Sequence, residues 1–308
     1  MKFLKLIRIT NLMVIILTMV GVADYLLKMH SQQKENFNFA HYVLLILSTV
    51  LIAAAGNMIN DYFDIKADRV NKPNRLIVSK YIKKRWVIIL HWTFNLVAFI
   101  IGVFLSYHYN SLVFAFVHLL SINMLWFYST YFKKKMLLGN GMIGLLTAFV
   151  PLLSLCFFSV LNAPGVPNSA DPEVALTGVI NHNFIFLLAV CAGIQNFGRE
   201  IVKDAEDIEG DKLIQVKSLA IKLGVRTSVL IALGFIQLTT VFGFLFFYTT
   251  NDPLNGSEIF FFISSGTVNG LLLLAYLFNQ KIKISHVQLT LKLSMLIGLS
   301  SLFSTYIS

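Results

Sequence analysis

Asn57, Asp61, Asp64 and Asp68 follow one another at offsets of 0, +4, +7 and +11, at the end of an apolar run densest from Tyr42 to Ala55. At 100° per residue those offsets agree to within about 40°, so a helix through them carries one amide and three carboxylates on a single stripe. Ionisable groups within a membrane span are expensive, roughly 2.5–3.5 kcal/mol each at a helix centre. Three acids between positions 61 and 68 therefore call for water, a cation or both. An all-oxygen stripe of this kind suits a hard divalent cation.

A second stripe follows the same rule. From Asn196, the positions Glu200, Lys203, Asp207 and Asp211 fall at +4, +7, +11 and +15, with Gly210 expected to loosen the helix near its end. Nine of the 15 acids lie in these two segments, the second of which also holds Asp204, Glu206 and Glu209. Each has cations close by, Arg69, Lys72 and Arg75 for the first and Arg199, Lys203 and Lys212 for the second. Carboxylates and cations around one space would suit Mg²⁺ bridging a phosphate or diphosphate, because that ion prefers a few carboxylates plus substrate oxygens. The plainer reading is a pair of solvated connections laced with ordinary helical acid–base neighbours. Two stripes at matched spacing count against it.

The elements that must position these residues are membrane helices. Of 308 residues, 56% are hydrophobic and 13% charged, with a mean hydropathy of +0.73. Soluble domains are about a quarter charged, so the fold class expected is an all-α membrane protein, a single domain over residues 1–308. Windows long enough to cross about 30 Å fall near residues 7–28, 39–59, 86–107, 110–131, 136–161, 182–202, 226–249, 257–279 and 287–307. Nine transmembrane helices in a bundle around a central cavity are expected. The first apolar run, with Lys2, Lys5 and Arg8 before it, is long enough to be retained as a helix rather than removed as a signal peptide. Of the 25 Lys and Arg, 22 fall on one face of this topology, which puts the N-terminus in the cytoplasm and both acidic stripes on that side. The net charge of +10 is then a cytoplasmic collar rather than a nucleic-acid surface. Residues 162–181, with three prolines, and 249–257 are expected as external loops. Cys156 and Cys191 lie in apolar runs and suggest packing, not a disulfide or a metal site. His91 and His118, also in apolar spans, are expected to pack.

Asn60-Asp61-x-x-Asp64-x-x-x-Asp68 resembles the first motif of the UbiA superfamily of intramembrane prenyltransferases, and Asp207-x-x-x-Asp211 resembles its second. Smaller features agree: Arg8 and Asn11 at the start of helix 1, Asn71-x-Pro73-x-Arg75, Tyr128-Ser129, Lys133 and Gly139-Asn140. One departure is Leu76, where the family usually has proline after the arginine. The resemblance implies Mg²⁺-dependent transfer of a polyprenyl group from its diphosphate. Carried over residue by residue, it makes Asn57, Asp61, Asp64, Asp68, Asp207 and Asp211 the Mg²⁺ site, with Asp61, Asp64, Asp207 and Asp211 as the catalytic carboxylates. Arg75, Lys133, Lys203 and Tyr128 would hold the diphosphate, and Asn60, Glu200 and Asp204 would support. The 27 Phe and 11 Tyr can supply dry walls for an allylic cation, but no single ring stands out.

Arg199-Glu200-x-x-Lys203-Asp204-x-x-Asp207-x-x-Gly210-Asp211 is most similar to the digeranylgeranylglyceryl phosphate synthase branch. The expected acceptor is accordingly a glyceryl phosphate ether or a similar lipid. An aromatic acceptor such as hydroxybenzoate or dihydroxynaphthoate is the alternative, and an ion-coupled transporter a more distant one. The expected setting is the cell's inner (plasma) membrane with the active site facing the cytoplasm, the bilayer as surroundings, and neither nucleic acid nor a protein partner.

Overall fold

Apolar runs of membrane length have one economical backbone solution, since an α-helix satisfies its own N–H and C=O groups. The computed structural model describes residues 2–29, 37–74, 76–161, 183–250, 256–279 and 282–306. They form thirteen α-helices and two short 3₁₀ turns, with one isolated β-bridge between Val78 and Ile82. Among the described residues, nine helices are long and apolar enough to cross a bilayer: Ile9–Lys28, Phe39–Phe63, Lys84–His108, Val113–Thr130, Leu138–Val160, Asn183–Glu206, Val225–Leu245, Ile259–Phe278 and Ile284–Phe303. The expected count of nine holds, and the chain is an all-α integral membrane protein. The external loop expected at 162–181 and most of that at 249–257 lie outside the described residues.

The chain forms two compact units, Met1–Phe132 with Val150–Phe186, and Lys133–Phe149 with Leu187–Ser308. In the first, α1 (Lys2–Leu6) and α2 (Ile9–Met29) pack on α3 (Phe39–Phe63). Leu6, Ile7 and Leu12 are buried in one cluster with Ala54, Ala55 and Met58, and Ile65, Ile77, Val78 and Val87 complete it. Asn38 caps α3, its side chain accepting from the His41 N–H at 3.2 Å. The two histidines do pack. His91, on α5 (Lys84–His108), is 3.0 Å from the Ala55 carbonyl. His118, on α6 (Val113–Thr130), is 2.7 Å from Ser48 Oγ.

In the second unit, α7 (Leu138–Leu161) meets α8 (Asn183–Glu206) through two glycines. A Cβ on Gly144 would stand 2.7 Å from the Gly193 carbonyl oxygen, and one on Gly193 3.0 Å from the Gly144 oxygen. Small residues at a crossing let backbones touch where lipid gives no hydrophobic push between helices. Gly144→Ala is therefore expected to lower stability by about 1–3 kcal/mol. Gly141→Ala, one turn away with nothing within 4 Å of its added Cβ, should be neutral or mildly stabilising. Thermal unfolding of the two variants in detergent checks this; equal melting temperatures would refute the close crossing. Beyond α8 come α9 (Ile208–Leu213), α10 (Leu219–Leu223, capped by Ser218 and closed by Gly224 at φ +84°), α11 (Val225–Thr250), α12 (Gly256–Phe278) and α13 (Ile284–Ser300). Ile201, Val202 and Ala205 of α8 are buried with Leu219, Val229, Leu233, Val287 and Leu291.

Candidate active site

Both acidic stripes are helical, and both helices are longer than the apolar runs suggested. The second span was expected to end near residue 59 and the sixth near 202, yet α3 runs to Phe63 and α8 to Glu206. Backbone i→i+4 bonds are indifferent to side-chain polarity, so the helix continues until its geometry breaks. It breaks at an aspartate each time. Asp64 separates α3 from α4 (Ile65–Asn71) at φ −83°, ψ 0°, and Asp207 separates α8 from α9 at φ −98°, ψ 13°. Gly210, expected to loosen the second stripe, lies inside α9 instead. The breaks are shallow. Asp64 N–H still reaches the Asn60 carbonyl at 2.9 Å and Asp68 N–H the Asp64 carbonyl at 2.8 Å. Asp207 N–H and Asp211 N–H likewise keep Lys203 and Asp207 carbonyls, each at 3.1 Å.

In the first unit the stripe is tied down from two sides. Asn60 Nδ2 donates to Asp64 Oδ2 at 2.8 Å, and both residues are buried. Asn57 Nδ2 donates to the Ile7 carbonyl at 3.0 Å. Arg8 Nη2 donates to Asp61 Oδ1 at 2.6 Å. Arg8 does this from a left-handed backbone, φ 54°, at the joint between α1 and α2. That conformation costs a non-glycine residue of order 1–3 kcal/mol and persists only where surrounding contacts hold it. Sequence reading noted Arg8 without giving it a role; the two residues are 53 apart in the chain. Asp68 is half-buried, and Arg75 lies outside the described residues. Tyr128 is buried near the end of α6.

In the second unit Glu200 is the hub. Its Oε1 accepts from Arg199 Nη2 at 2.9 Å and its Oε2 from Lys203 Nζ at 2.7 Å. Arg199 Nε donates to Asn196 Oδ1 at 2.9 Å, while Asn196 Nδ2 donates to Thr147 Oγ1 of α7. Asn140 Nδ2 donates to Asp204 Oδ2 at 2.8 Å, which links the Gly139-Asn140 pair to this stripe. Gln288 Nε2 holds Glu206 Oε2 at 2.6 Å. Asp211 is buried in α9. Lys133 sits half-buried in the 3₁₀ turn Phe132–Lys134, which the Lys217 N–H joins through the Lys134 carbonyl at 3.1 Å.

The residues of the first stripe offer donors of the kind a hard divalent cation takes, although among the described residues no three Asp, Glu, His or Cys side chains are grouped closely enough to hold one. Every donor atom they offer is an oxygen, and Asn60 Oδ1 is buried with no hydrogen-bond partner among the described residues. An orphaned acceptor beside carboxylates is costly on its own and is relieved by a cation.

The UbiA prenyltransferase family model matches residues 14–296. The chain belongs to the UbiA family. It is 32% identical over 205 residues to the digeranylgeranylglyceryl phosphate synthase of Methanococcus aeolicus, covering 66% of this chain and 63% of that protein. It is 35% identical over 204 residues to the synthase of Pyrococcus abyssi, covering 66% and 64%. The chain thus spans a little under two thirds of these relatives. Among solved structures, one of a digeranylgeranylglyceryl phosphate synthase superposes over 99% of this chain and 98% of its own, with a TM-score of 0.64 and 26% identity. A UbiA homologue of Archaeoglobus fulgidus bound to GPP and Mg²⁺ covers both chains fully, with a TM-score of 0.56 and 14% identity, a likeness of fold.

Proposed function

We propose that this UbiA-family protein transfers a geranylgeranyl-type chain from its diphosphate to a hydroxyl of a glyceryl phosphate ether lipid. The observation that carries the reading is the constrained oxygen set of the first motif, with Asp64 held by Asn60, Asp61 held by Arg8, and Asn60 Oδ1 left over. The acceptor class rests on the names of the relatives at 32–35% identity.

The transfer forms a bond between the acceptor oxygen and the allylic carbon, breaks that carbon's bond to the diphosphate, and releases the hydroxyl proton. Mg²⁺ would be held at the first motif by Asn57, Asp61, Asp64 and Asp68 and at the second by Asp207 and Asp211, and would supply charge that neutralises the leaving diphosphate. Lys133, Lys203 and Arg75 supply positive charge to its oxygens, and Tyr128 a hydroxyl. Asn60, Glu200 and Asp204 keep those groups in place: Glu200 directs Lys203, and Asp204 is anchored on Asn140. Apolar walls keep water from the allylic centre. The distribution of Lys and Arg supports a cytoplasmic N-terminus, a cytoplasmic active site and a cell-membrane location. Membership in a prenyltransferase family leaves the carrier reading without support.

The experiment offers labelled geranylgeranyl diphosphate to purified protein with a panel of glyceryl phosphate lipids and phenolic acids, with Mg²⁺ or with chelator. A digeranylgeranyl ether formed only with the metal is the expected product. Prenylation of a phenolic acid alone would overturn the acceptor assignment. Full turnover after chelation would overturn the metal site.

A further inference from the structure

Lys2 Nζ stands 4.0 Å from the centre of the Tyr81 ring, and Lys80 Nζ reaches the same ring at 5.6 Å. Both ammoniums lie within cation–π range, but a ring cancels no charge. Lys5 follows on α1, and Lys83, Lys84 and Arg85 follow the ring, all of them exposed. The ion pairs among the described residues take in none of these six cations. Folding builds the group. Leu6 and Ile7 of α1 are buried in one cluster with Ile77 and Val78, which joins two segments distant in the chain. Between Val78 and Ile82, which form a bridge, Ser79 is left-handed at φ 75° and its N–H donates to the Ile82 carbonyl at 2.8 Å. That tight turn leaves Lys80 and Tyr81 on the outside. Phe3 and Leu4 are exposed among the lysines of α1, and Tyr81 and Trp86, flanking the second basic run, are each more than half exposed.

Position selects the anion. α1 leads into the span Ile9–Lys28 and the 78–82 turn into the span Lys84–His108, so the patch lies where spans begin. Rings and aliphatic chains interleaved with lysines suit the layer between headgroups and hydrocarbon, one end apolar and the other wet. Every Lys or Arg near an anionic leaflet adds to the attraction. A soluble anion would meet the charges and leave Phe3, Leu4, Tyr81 and Trp86 uncovered; an anionic phospholipid meets both. The bias of positive charge to one face accounts for the cations but not for the ring set between two of them. The same element reaches the first motif. The Ile7 carbonyl accepts from Asn57 Nδ2 at 3.0 Å, and Arg8, next along, donates to Asp61. We propose that α1 and the 78–82 turn form a docking surface for anionic phospholipid headgroups of the surrounding bilayer, with a phosphate between Lys2 and Lys80, and that its occupancy seats α1 and through it Asn57 and Asp61. The docking is independent of the reaction proposed above; only its effect on rate rests on that reading.

The test compares wild type with three double variants of the full chain. Lys2→Gln with Lys80→Gln removes the two ammoniums, and Lys2→Arg with Lys80→Arg keeps their charge. Lys217→Gln with Lys222→Gln removes the same charge from exposed positions of the second unit. Phosphatidylglycerol and phosphatidylcholine are titrated onto each protein in detergent and the retained lipid is counted by native mass spectrometry. Wild type should retain phosphatidylglycerol preferentially, and each ammonium lost from the patch should weaken that retention about fivefold. The Arg variant and the second-unit variant should behave as wild type. Prenyl transfer is then measured in nanodiscs of phosphatidylcholine alone and with about one-third phosphatidylglycerol. Wild type should turn over about fivefold faster in the anionic discs and reach half-maximal rate at lower Mg²⁺. The Gln variant of the patch should keep the neutral-disc rate and its melting temperature and lose the rise. Retention equal in wild type and that variant, or weakened as much by the second-unit changes, would overturn the docking surface. A rise that is entirely a lower KM for geranylgeranyl diphosphate would mean that the patch gathers substrate and would overturn it too. A rise that survives in the Gln variant would overturn the link through α1. Wild type that transfers no prenyl group in either disc would overturn the reaction proposed above, while lipid retention decides the docking on its own.

Discussion

Asp61→Asn should cut turnover of geranylgeranyl diphosphate by about 10³-fold while leaving the protein folded. Asp61 shares a stripe with Asn57, Asp64 and Asp68, and its Oδ1 is fixed at 2.6 Å from Arg8 Nη2. The amide keeps the shape of the carboxylate and discards its charge, so the change removes the anion proposed to bind the metal rather than a packing element. A loss of that size corresponds to about 4 kcal/mol of transition-state stabilisation, near the top of what one removed electrostatic contact costs in well-studied sites. Asp207→Asn should behave alike. If both motifs serve one transfer step, the double variant should be scarcely worse than either single one, because residues acting as a unit are not additive. Single-turnover kinetics in detergent, beside melting curves, read out all three. Either single variant retaining more than a tenth of wild-type rate would sink the role given to its motif.

Arg8→Met tests the other half of that pair. It should weaken the hold on Asp61 and relax the left-handed joint at φ 54°. The rate should fall less than with Asp61→Asn, because Arg8 positions the carboxylate and does not replace it. A larger divalent-ion requirement, measured as a shifted Mg²⁺ titration midpoint, is the signature that a purely structural defect would not produce.

The largest stability effect is expected at Glu200. Glu200→Leu leaves Arg199 and Lys203 facing one another without the carboxylate that holds both, at 2.9 and 2.7 Å. Breaking a buried ion pair by deleting one partner costs about 3–5 kcal/mol, because the remaining charge is stranded. Here one carboxylate bonds two cations, inside a helix whose neighbours Ile201 and Val202 are fully packed. Glu200→Gln, which keeps acceptor and shape, should recover much of the loss. Chemical or thermal unfolding in detergent decides; a melting temperature unchanged in Glu200→Leu would show that water, not Glu200, satisfies the two cations. The outcome also fixes how the residue should be described. In sequence it was one more acid on a candidate metal stripe, whereas its bonds to Arg199 and Lys203 make it the clamp on two basic side chains.

Several features were legible before any coordinates. The nine membrane-length helices among the described residues follow from apolar run length, since spanning is set by thickness and rise per residue alone. The stripes follow from spacing, because helical periodicity is a property of near neighbours. Family membership follows from Asn60-Asp61-x-x-Asp64-x-x-x-Asp68 and Asp207-x-x-x-Asp211, and the family model bears it out.

Other features belong to the tertiary structure. Nothing local in the chain says that Arg8 reaches Asp61, that Asn57 caps the Ile7 carbonyl, or that Asn140 takes Asp204 from 64 residues away. Those pairings depend on which helices pack together, and packing is decided by side-chain shape over many distant positions at once. The helix ends show the same division. Hydropathy placed the second and sixth helices four residues short, because it measures affinity for lipid, while the backbone continues as long as its hydrogen bonds can be made. It is that continuation past the apolar run, to breaks at Asp64 and Asp207, that carries the aspartates on ordered helix rather than on loops. The sequence by itself determined a membrane protein with two carboxylate stripes; the packed structure decided which basic and amide side chains hold each stripe in place.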